Sequence, residues 1–148
     1  MPQNRIAGVV LDASAAVFLV LPGAPVANLS RILQDVRIDG SRIIAPSILA
    51  SEVAAAITKM LRMRRITRSE AEEAFEVWQQ LLATDLFDLT DANALLKHAF
   101  DLSIRVHHPL HDCLYLVLAL RDRAAYLTAD EIFARKAHAL GIHIELVS

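Results

Sequence analysis

Cysteine and glycine are scarce in this sequence, and their scarcity excludes several kinds of site. The 148 residues contain one cysteine, Cys113, so an internal disulfide and a metal site built from several thiolates are both excluded. The four glycines stand singly, and neither G-x-G-x-x-G nor the Walker-type pattern G-x-x-x-x-G-K occurs. The usual glycine-rich loops that bind nucleotide phosphates are therefore excluded as well.

An excess of charge of one sign is also missing. Fifteen basic and 17 acidic residues leave a formal net charge of −2, so the totals do not indicate a nucleic-acid partner. Apolar residues form 55% of the chain and charged residues 22%, which is the opposite of a disordered composition. The length is typical of one domain, and we expect a single domain over residues 1–148.

Long hydrophobic runs are limited to two segments, and neither predicts a membrane span. Residues 6–21 loosely imitate a signal peptide, but Asp12 interrupts them near the middle, where a carboxylate is costly to insert. The run 114–120 is far too short to cross about 30 Å of hydrocarbon. We therefore expect a soluble, cytoplasmic protein, and the single cysteine is consistent with a reducing compartment.

Short apolar segments alternate with segments of helical periodicity along the chain. Strands are predicted over 7–11, 42–45, 86–89, 124–128 and 142–147. Helices are predicted over 13–20, 24–36, 47–64 with Ser47 as cap, 67–82, 91–104, 112–121 and 130–140. This alternation is typical of an α/β fold with a mostly parallel sheet and helices on both faces. In such folds ligands bind at the carboxyl ends of the strands.

The predicted helix over 67–82 has two overlapping start signals. Thr67-x-x-Glu70 and Ser69-x-x-Glu72 both match the capping-box pattern. The apolar residues behind these signals are predicted to form one buried stripe: Ala71, Ala74, Phe75, Trp78, Leu81 and Leu82. The aromatic pair in this stripe is interpreted as packing, within the core or at a dimer interface.

Four acidic residues stand in apolar surroundings rather than on a polar helix face. Asp12 directly follows the predicted strand VVL, and Asp130 follows the predicted strand AYLT. Glu52 lies within the helical segment ILASEVAAAI, and Asp112 opens the apolar helix HDCLYLVLAL. Two of these acids end strands and two lie on helices that can flank the same crevice, so together they predict an acidic site.

Each of these acids also has a purely structural interpretation. Asp12 and Asp130 would serve as helix N-caps, a role typically worth about 1 kcal/mol. Asp112 would interact favourably with the helix dipole, and Glu52 would extend its carboxylate into water. If the four meet, charges about 4 Å apart repel by roughly 4 kcal/mol at an effective dielectric near 20, which a proton or a hard cation must offset. Mg²⁺ and Mn²⁺ prefer such ligands.

Three segments in this order resemble the PIN-domain ribonucleases, in particular the VapC-type toxins of bacterial toxin–antitoxin pairs. They are VVLDASAAV at 9–17, APSILASEVAAAI at 45–57 and HPLHDCLYLVLALRDRAAYLTADEIFARKA at 108–137. The resemblance implies a three-layer α/β/α sandwich and an endoribonuclease that depends on Mg²⁺ or Mn²⁺. It also implies a homodimer that is inhibited by a small antitoxin.

The resemblance assigns the chemistry to Asp12, Glu52, Asp112 and Asp130. Asp12 and Asp112 would be the main metal ligands, while Glu52 and Asp130 would complete the site directly or through water. All four positions are filled, so an active enzyme is expected. Ser14 of D-x-S and Thr128 of T-x-D are implied to be polar groups that support these acids.

A basic cluster and a histidine cluster are further candidates. Five of the 15 basic residues are Lys59, Arg62, Arg64, Arg65 and Arg68. They form either a solvated helix end or a rim that contacts RNA phosphates. The family often has Ser or Thr just before the third acid, where this chain has histidines. His107 and His108 are interpreted as loop residues, and His111 as a candidate RNA contact or general acid.

Two other functions remain open at this point. Asp12 after a strand is also the position of the nucleophile in phosphoaspartyl enzymes, but those need D-x-D, and Ser14 occupies the third position here. The second alternative is a non-catalytic α/β binding module in which the aspartates are only helix caps.

Overall fold

A computed structural model describes residues 8–23, 27–38, 40 and 42–147. Its strands are β1 (Gly8–Leu11), β2 (Arg42–Pro46), β3 (Phe87–Thr90), β4 (Ala125–Thr128) and β5 (Ile144–Leu146). Its α-helices are α1 (Ala13–Ala16), α2 (Ala27–Ile38), α3 (Leu49–Arg62), α4 (Arg68–Leu82), α5 (Ala92–Val106), α6 (Leu110–Asp122) and α7 (Glu131–Ala139). A 3₁₀ turn, Val17–Leu19, follows α1. Residue 7 of the first predicted strand and residues 24–26 of the second predicted helix lie outside the described residues.

The five strands form one parallel sheet in the order β3-β2-β1-β4-β5, flanked by helices, and this confirms the predicted α/β class. Val10 of the central strand pairs with Ile44 of β2 on one side and with Tyr126 of β4 on the other. The chain moves outwards through β2 and β3 and then returns to the other side of β1. Since the strand order reverses between β1 and β4, their carboxyl ends form the crevice where such sheets bind ligands.

Helix α6 lies in the centre of the core. All seven residues from Cys113 to Ala119 are buried, because this helix packs against α5 as well as against β1, β2 and β4. A helix that is apolar on every side is stable only when it is covered on every side. Cys113 is a small core residue, as predicted, and burial raises the pKa of its thiol. The first turn of α6 is thereby fixed beside the carboxyl ends of β1 and β4.

The buried stripe of α4 is narrower than predicted. Ala71, Ala74 and Trp78 are buried, and the Trp78 indole N–H donates to the Ala50 carbonyl at 3.0 Å. Phe75 is 42% exposed, so the prediction that it belongs to the buried stripe is wrong. The reason is that α4 packs mainly against α3, and one neighbouring helix covers only the stripe at positions i, i+3 and i+7.

Ser47 does not cap α3, and this part of the prediction is also wrong. The residue before α3 is Ile48, which makes no side-chain capping bond. The Ser47 amide donates to the Thr90 carbonyl at 2.7 Å, which extends the hydrogen bonding between β2 and β3. The Ser47 hydroxyl accepts from the Ala92 amide at 3.0 Å. Ser47 therefore joins the end of β2 to the start of α5.

Only one of the two overlapping capping patterns is used, and this leads to a stability prediction. The Thr67 hydroxyl accepts from the Glu70 amide at 3.1 Å, while the Glu70 carboxylate accepts from the Thr67 amide at 2.8 Å. Thr67→Ala is expected to lower the free energy of unfolding by about 1 kcal/mol, measured by urea denaturation. Ser69→Ala is the matched control, because Ser69 is an exposed residue inside the helix. An equal loss in both variants would contradict the assignment of Thr67 as the cap.

A membrane-spanning helix needs both length and apolar character. No helix among the described residues combines enough of both to cross a bilayer.

Candidate metal centre

Asp12 lies directly after β1 and is almost fully buried, with 8% of its surface exposed. It is the N-cap of α1, since its Oδ1 accepts from the Ala15 amide at 3.1 Å. The same oxygen accepts from the Ser14 hydroxyl at 2.6 Å, and Oδ2 accepts from the Tyr126 hydroxyl at 3.2 Å. The interpretation of Asp12 as a helix cap is confirmed, but both carboxylate oxygens are also held in fixed positions.

The charge of Asp12 is only partly compensated by these contacts. Burial raises the pKa of this carboxyl above its usual value, although hydrogen bonds from Ser14, Thr128, Ala15 and Tyr126 act in the opposite direction. Ionised Asp12 is thus costly to keep in the folded protein. A cation beside the carboxylate would lower that cost.

Ser14 and Thr128 lie behind Asp12 and connect the ends of β1 and β4. Their hydroxyl oxygens are 3.2 Å apart. Ser14 Oγ accepts from the Ala129 amide at 3.0 Å, and Thr128 Oγ1 accepts from the Asp130 amide at 3.1 Å. Thr128 is completely buried. Both hydroxyls therefore bond to residues that follow β1 and β4, and their role as supports of metal-binding acids stays a prediction.

Glu52 lies in the first turn of α3, half-buried, and is held by a tyrosine from α6. The Tyr115 hydroxyl donates to Glu52 Oε1 at 2.6 Å. Burial raises the pKa of Tyr115 most, followed by the hydrogen bond to Glu52 and the charges of Glu52, Asp12 and Asp112. The charges of three of the four predicted acids therefore raise the pKa of one tyrosine.

A second buried tyrosine completes this arrangement. Tyr126 packs edge to face on Tyr115, with ring centroids 6.5 Å apart. Burial raises the pKa of Tyr126, and the charges of Asp12 and Asp112 raise it further. Neither tyrosine was singled out in the sequence, where both stand in apolar runs. The available signal was Tyr115 at three residues after Asp112, a spacing that puts both on one face of α6.

Asp112 lies in the first turn of α6 with 43% of its side chain exposed, and it contacts a histidine. His108 Nε2 is 2.8 Å from Asp112 Oδ2, and the His108 side chain is only 10% exposed. His108 lies in the loop between α5 and α6, as interpreted from the sequence, and its ring also contacts Asp112. His107 ends α5 in a left-handed conformation, with φ of 51°. His111, the predicted RNA contact, is exposed.

Asp130 is exposed and caps α7. Its Oδ1 accepts from the Phe133 amide at 3.0 Å, which confirms the structural interpretation. It also follows Thr128, so its backbone belongs to the carboxyl end of β4. A role in metal binding, directly or through water, stays a prediction.

The five basic residues are all exposed at the end of α3 and in the turn to α4: Lys59, Arg62, Arg64, Arg65 and Arg68. Arg62 comes ten residues after Glu52 on one helix, which corresponds to roughly 15 Å along the axis. Arg68 pairs with Glu72 at 2.9 Å. The cluster therefore lies at the far end of α3 from the acidic site, and a contact with RNA phosphates stays a prediction.

The donor set suits a hard divalent cation. Across the described ranges, no three His, Cys, Asp or Glu side chains already stand close enough together to hold a metal ion. Mg²⁺ commonly uses only one or two carboxylates and keeps several waters, so Asp12 and Asp112 are sufficient in number. Burial of Asp12 raises the pKa of its carboxyl, so its charge is offset in the folded protein either by a proton or by a cation.

The fold and the site define a class of protein: a parallel α/β domain with carboxylates at the switch point of its sheet. The model of the PIN domain family matches residues 9–139, and the chain belongs to this family. PIN domains are typically nucleases, and the fold is generally that of a metal-dependent nuclease.

The crystal structure of PAE2754 from Pyrobaculum aerophilum is similar, with 15% identity and a TM-score of 0.65 over 90% of this chain and 87% of that one. That similarity supports the fold. No curated protein matches the chain.

Proposed function

We propose that this protein is a cytoplasmic endoribonuclease that cleaves RNA phosphodiester bonds with the help of Mg²⁺ or Mn²⁺. The observation that carries the proposal is the position of Asp12, Glu52 and Asp112 close to Tyr115, whose hydroxyl donates to Glu52 and whose pKa is raised by the charges of all three acids. Membership of the PIN domain family supports nuclease chemistry in general. RNA as substrate rests on the resemblance to the VapC-type toxins.

Asp12 and Asp112 would hold the cation, with Glu52 and Asp130 bound to it directly or through water. When bound, such an ion lowers the pKa of water and offsets negative charge on a phosphodiester. The protein's own part is positioning. Tyr115 holds one oxygen of Glu52, while Ser14 and Tyr126 hold the two oxygens of Asp12.

The phosphoaspartyl alternative is disfavoured by the residue two positions after Asp12. Phosphoaspartyl enzymes need a second aspartate there, and this chain has Ser14. The Ser14 hydroxyl donates to Asp12 Oδ1 at 2.6 Å, which is a supporting contact and not a second carboxylate. The binding-module alternative has one observation in its favour, because Asp12 and Asp130 do cap helices. A cleavage experiment separates it from the nuclease.

The decisive experiment combines metal titration with RNA cleavage by the purified wild-type protein. Millimolar Mn²⁺ is expected to raise the melting temperature and to support cleavage of a mixture of cellular RNAs, whereas excess EDTA is expected to abolish both effects. Mn²⁺ binding without cleavage of any RNA would favour a binding module. If Mn²⁺ neither raises the melting temperature nor supports cleavage, the nuclease proposal is wrong.

We further propose that the protein is a toxin that dimerises and is inhibited by a small antitoxin. An exposed apolar stripe on α5 supports a protein partner of some kind: Leu96, Phe100 and Ile104 are 45%, 56% and 60% exposed. Expression of the toxin alone is expected to arrest growth. Co-expression with the product of a small adjacent reading frame is expected to restore growth, and unrestricted growth without that product would contradict the toxin role.

A further inference from the structure

A chain of two polar contacts links three elements beside the acidic site. Lys136 of α7 places Nζ 2.9 Å from Nδ1 of His108, which lies between α5 and α6. His108 Nε2 is in turn 2.8 Å from Oδ2 of Asp112 in the first turn of α6. His108 and Asp112 are four residues apart, whereas Lys136 comes 28 residues after His108, so the contact with Lys136 depends on the fold.

The contact with Lys136 decides which His108 nitrogen carries the proton. A lysine ammonium group has three donors and no acceptor. Nδ1 of His108 must therefore accept from Lys136, and the proton of the neutral ring lies on Nε2. His108 Nε2 consequently donates to Asp112 Oδ2, and the Asp112 carboxylate accepts.

The His108 ring has little freedom to turn. It stacks at a tilt of 31° on Phe133, with ring centroids 4.9 Å apart, and its side chain is 10% exposed. The backbone is fixed too, since the Ser103 hydroxyl donates to the His108 carbonyl at 2.5 Å. Lys136 also donates to the His107 carbonyl at 3.4 Å. Asp112, by contrast, is 43% exposed and depends on such a contact for a defined orientation.

We propose that His108 is a positioning residue that holds the Asp112 carboxylate in the orientation needed for cation binding, and that Lys136 keeps His108 in the donating tautomer. This inference rests on the proposed function, because it gives Asp112 the role of a metal ligand. Hydrogen-bond partners of metal ligands typically change metal affinity by 10–100-fold when they are replaced.

The test measures Mn²⁺ affinity by electron paramagnetic resonance in the absence of RNA. His108→Phe keeps a ring that can stack on Phe133 but removes the donor, and a loss of affinity of about 10–100-fold is expected. His108→Gln returns an N–H donor near the Nε2 position and is expected to recover most of the affinity. Lys136→Met is expected to lower the affinity about tenfold. The matched control is Lys97→Met, since Lys97 is an exposed lysine that pairs with Asp101 on α5.

RNA cleavage at different metal concentrations distinguishes an effect on metal affinity from a direct part in the cleavage step. Cleavage by His108→Phe is expected to recover when Mn²⁺ is raised above its weakened dissociation constant, so the rate at saturating metal changes little. Wild-type affinity in a folded His108→Phe variant would overturn the proposal. Equal losses in the Phe and Gln variants, together with lowered urea midpoints, would also overturn it by showing a structural role only. Failure of the wild-type protein to bind Mn²⁺ is a separate result that removes the proposed function itself.

Discussion

Asp112→Asn is expected to lower metal-dependent RNA cleavage about a thousandfold or more while the protein stays folded. A catalytic cation contributes several kcal/mol to the stabilisation of the transition state, and each 1.36 kcal/mol corresponds to a factor of ten in rate. Asparagine keeps the size of Asp112 and still offers an oxygen to His108, so the first turn of α6 should be preserved. The loss would therefore reflect the missing charge rather than unfolding.

The same helix provides a matched control for this experiment. Asp122 is the last residue of α6 and makes an ion pair with Arg121 at 2.9 Å. Ion pairs of neighbouring surface residues contribute little to stability, so Asp122→Asn should cleave RNA at close to the wild-type rate. The experiment compares the wild type, Asp112→Asn and Asp122→Asn. It measures their initial cleavage rates at saturating Mn²⁺ and their unfolding in urea. Undiminished cleavage by Asp112→Asn would remove Asp112 from the catalytic role.

Asp12→Asn is expected to raise the free energy of unfolding at neutral pH without metal. Burial raises the pKa of Asp12 in the folded protein above its usual value of 3.8, so the folded state binds the proton more tightly than the unfolded state. The resulting penalty on stability is fully present above the folded pKa and disappears as the pH falls towards 3.8. Asparagine carries no charge, and its oxygen can still accept from Ser14 and Ala15.

Metal should reverse the order of stability of these two proteins. A ligand at a hundred times its dissociation constant stabilises the folded state by about 2.7 kcal/mol, and only the wild type keeps the Asp12 carboxylate that would bind Mn²⁺. Urea midpoints between pH 4 and pH 7, with and without Mn²⁺, measure both effects.

Asp130→Asn is the control for the metal-free part of this comparison, because Asp130 also caps a helix but is exposed. Asparagine caps helices about as well as aspartate, so little change is expected. A metal-free wild type at least as stable as Asp12→Asn at pH 7 would contradict the assigned cost of burying Asp12.

The fold was predictable from the sequence because its buried strands are recognisable from their local sequence. Parallel strands covered on both faces read as short apolar runs, and VVL and AYLT are of this kind. The placement of Asp12 and Thr128 at the carboxyl ends followed directly from those runs. Ser47 shows the limit of such local interpretation. Its hydroxyl accepts a hydrogen bond from an amide 45 residues away instead of capping the helix that follows it.

The missed parts of the site depend on contacts across the fold. Tyr115 and Tyr126 read as packing residues in the sequence, since an aromatic ring in an apolar run gives no sign of what its hydroxyl meets. The proposed role of His108 depends on its contact with Lys136, which comes 28 residues later, and no spacing rule joins the two. The carboxylates were recognisable because an acid in apolar surroundings is conspicuous by itself.

The burial of α6 has a consequence for how the site can move. Amides in a helix covered on all sides exchange with solvent only when the whole domain opens, whereas exposed segments open locally at little cost. Asp112 lies in the first turn of this helix, directly before its buried residues. The basic segment 59–68 is exposed along most of its length, so local opening there costs less. Under the proposed function, the acidic site would therefore adjoin the part of the fold that opens last, and the basic cluster would lie on a part that opens more easily.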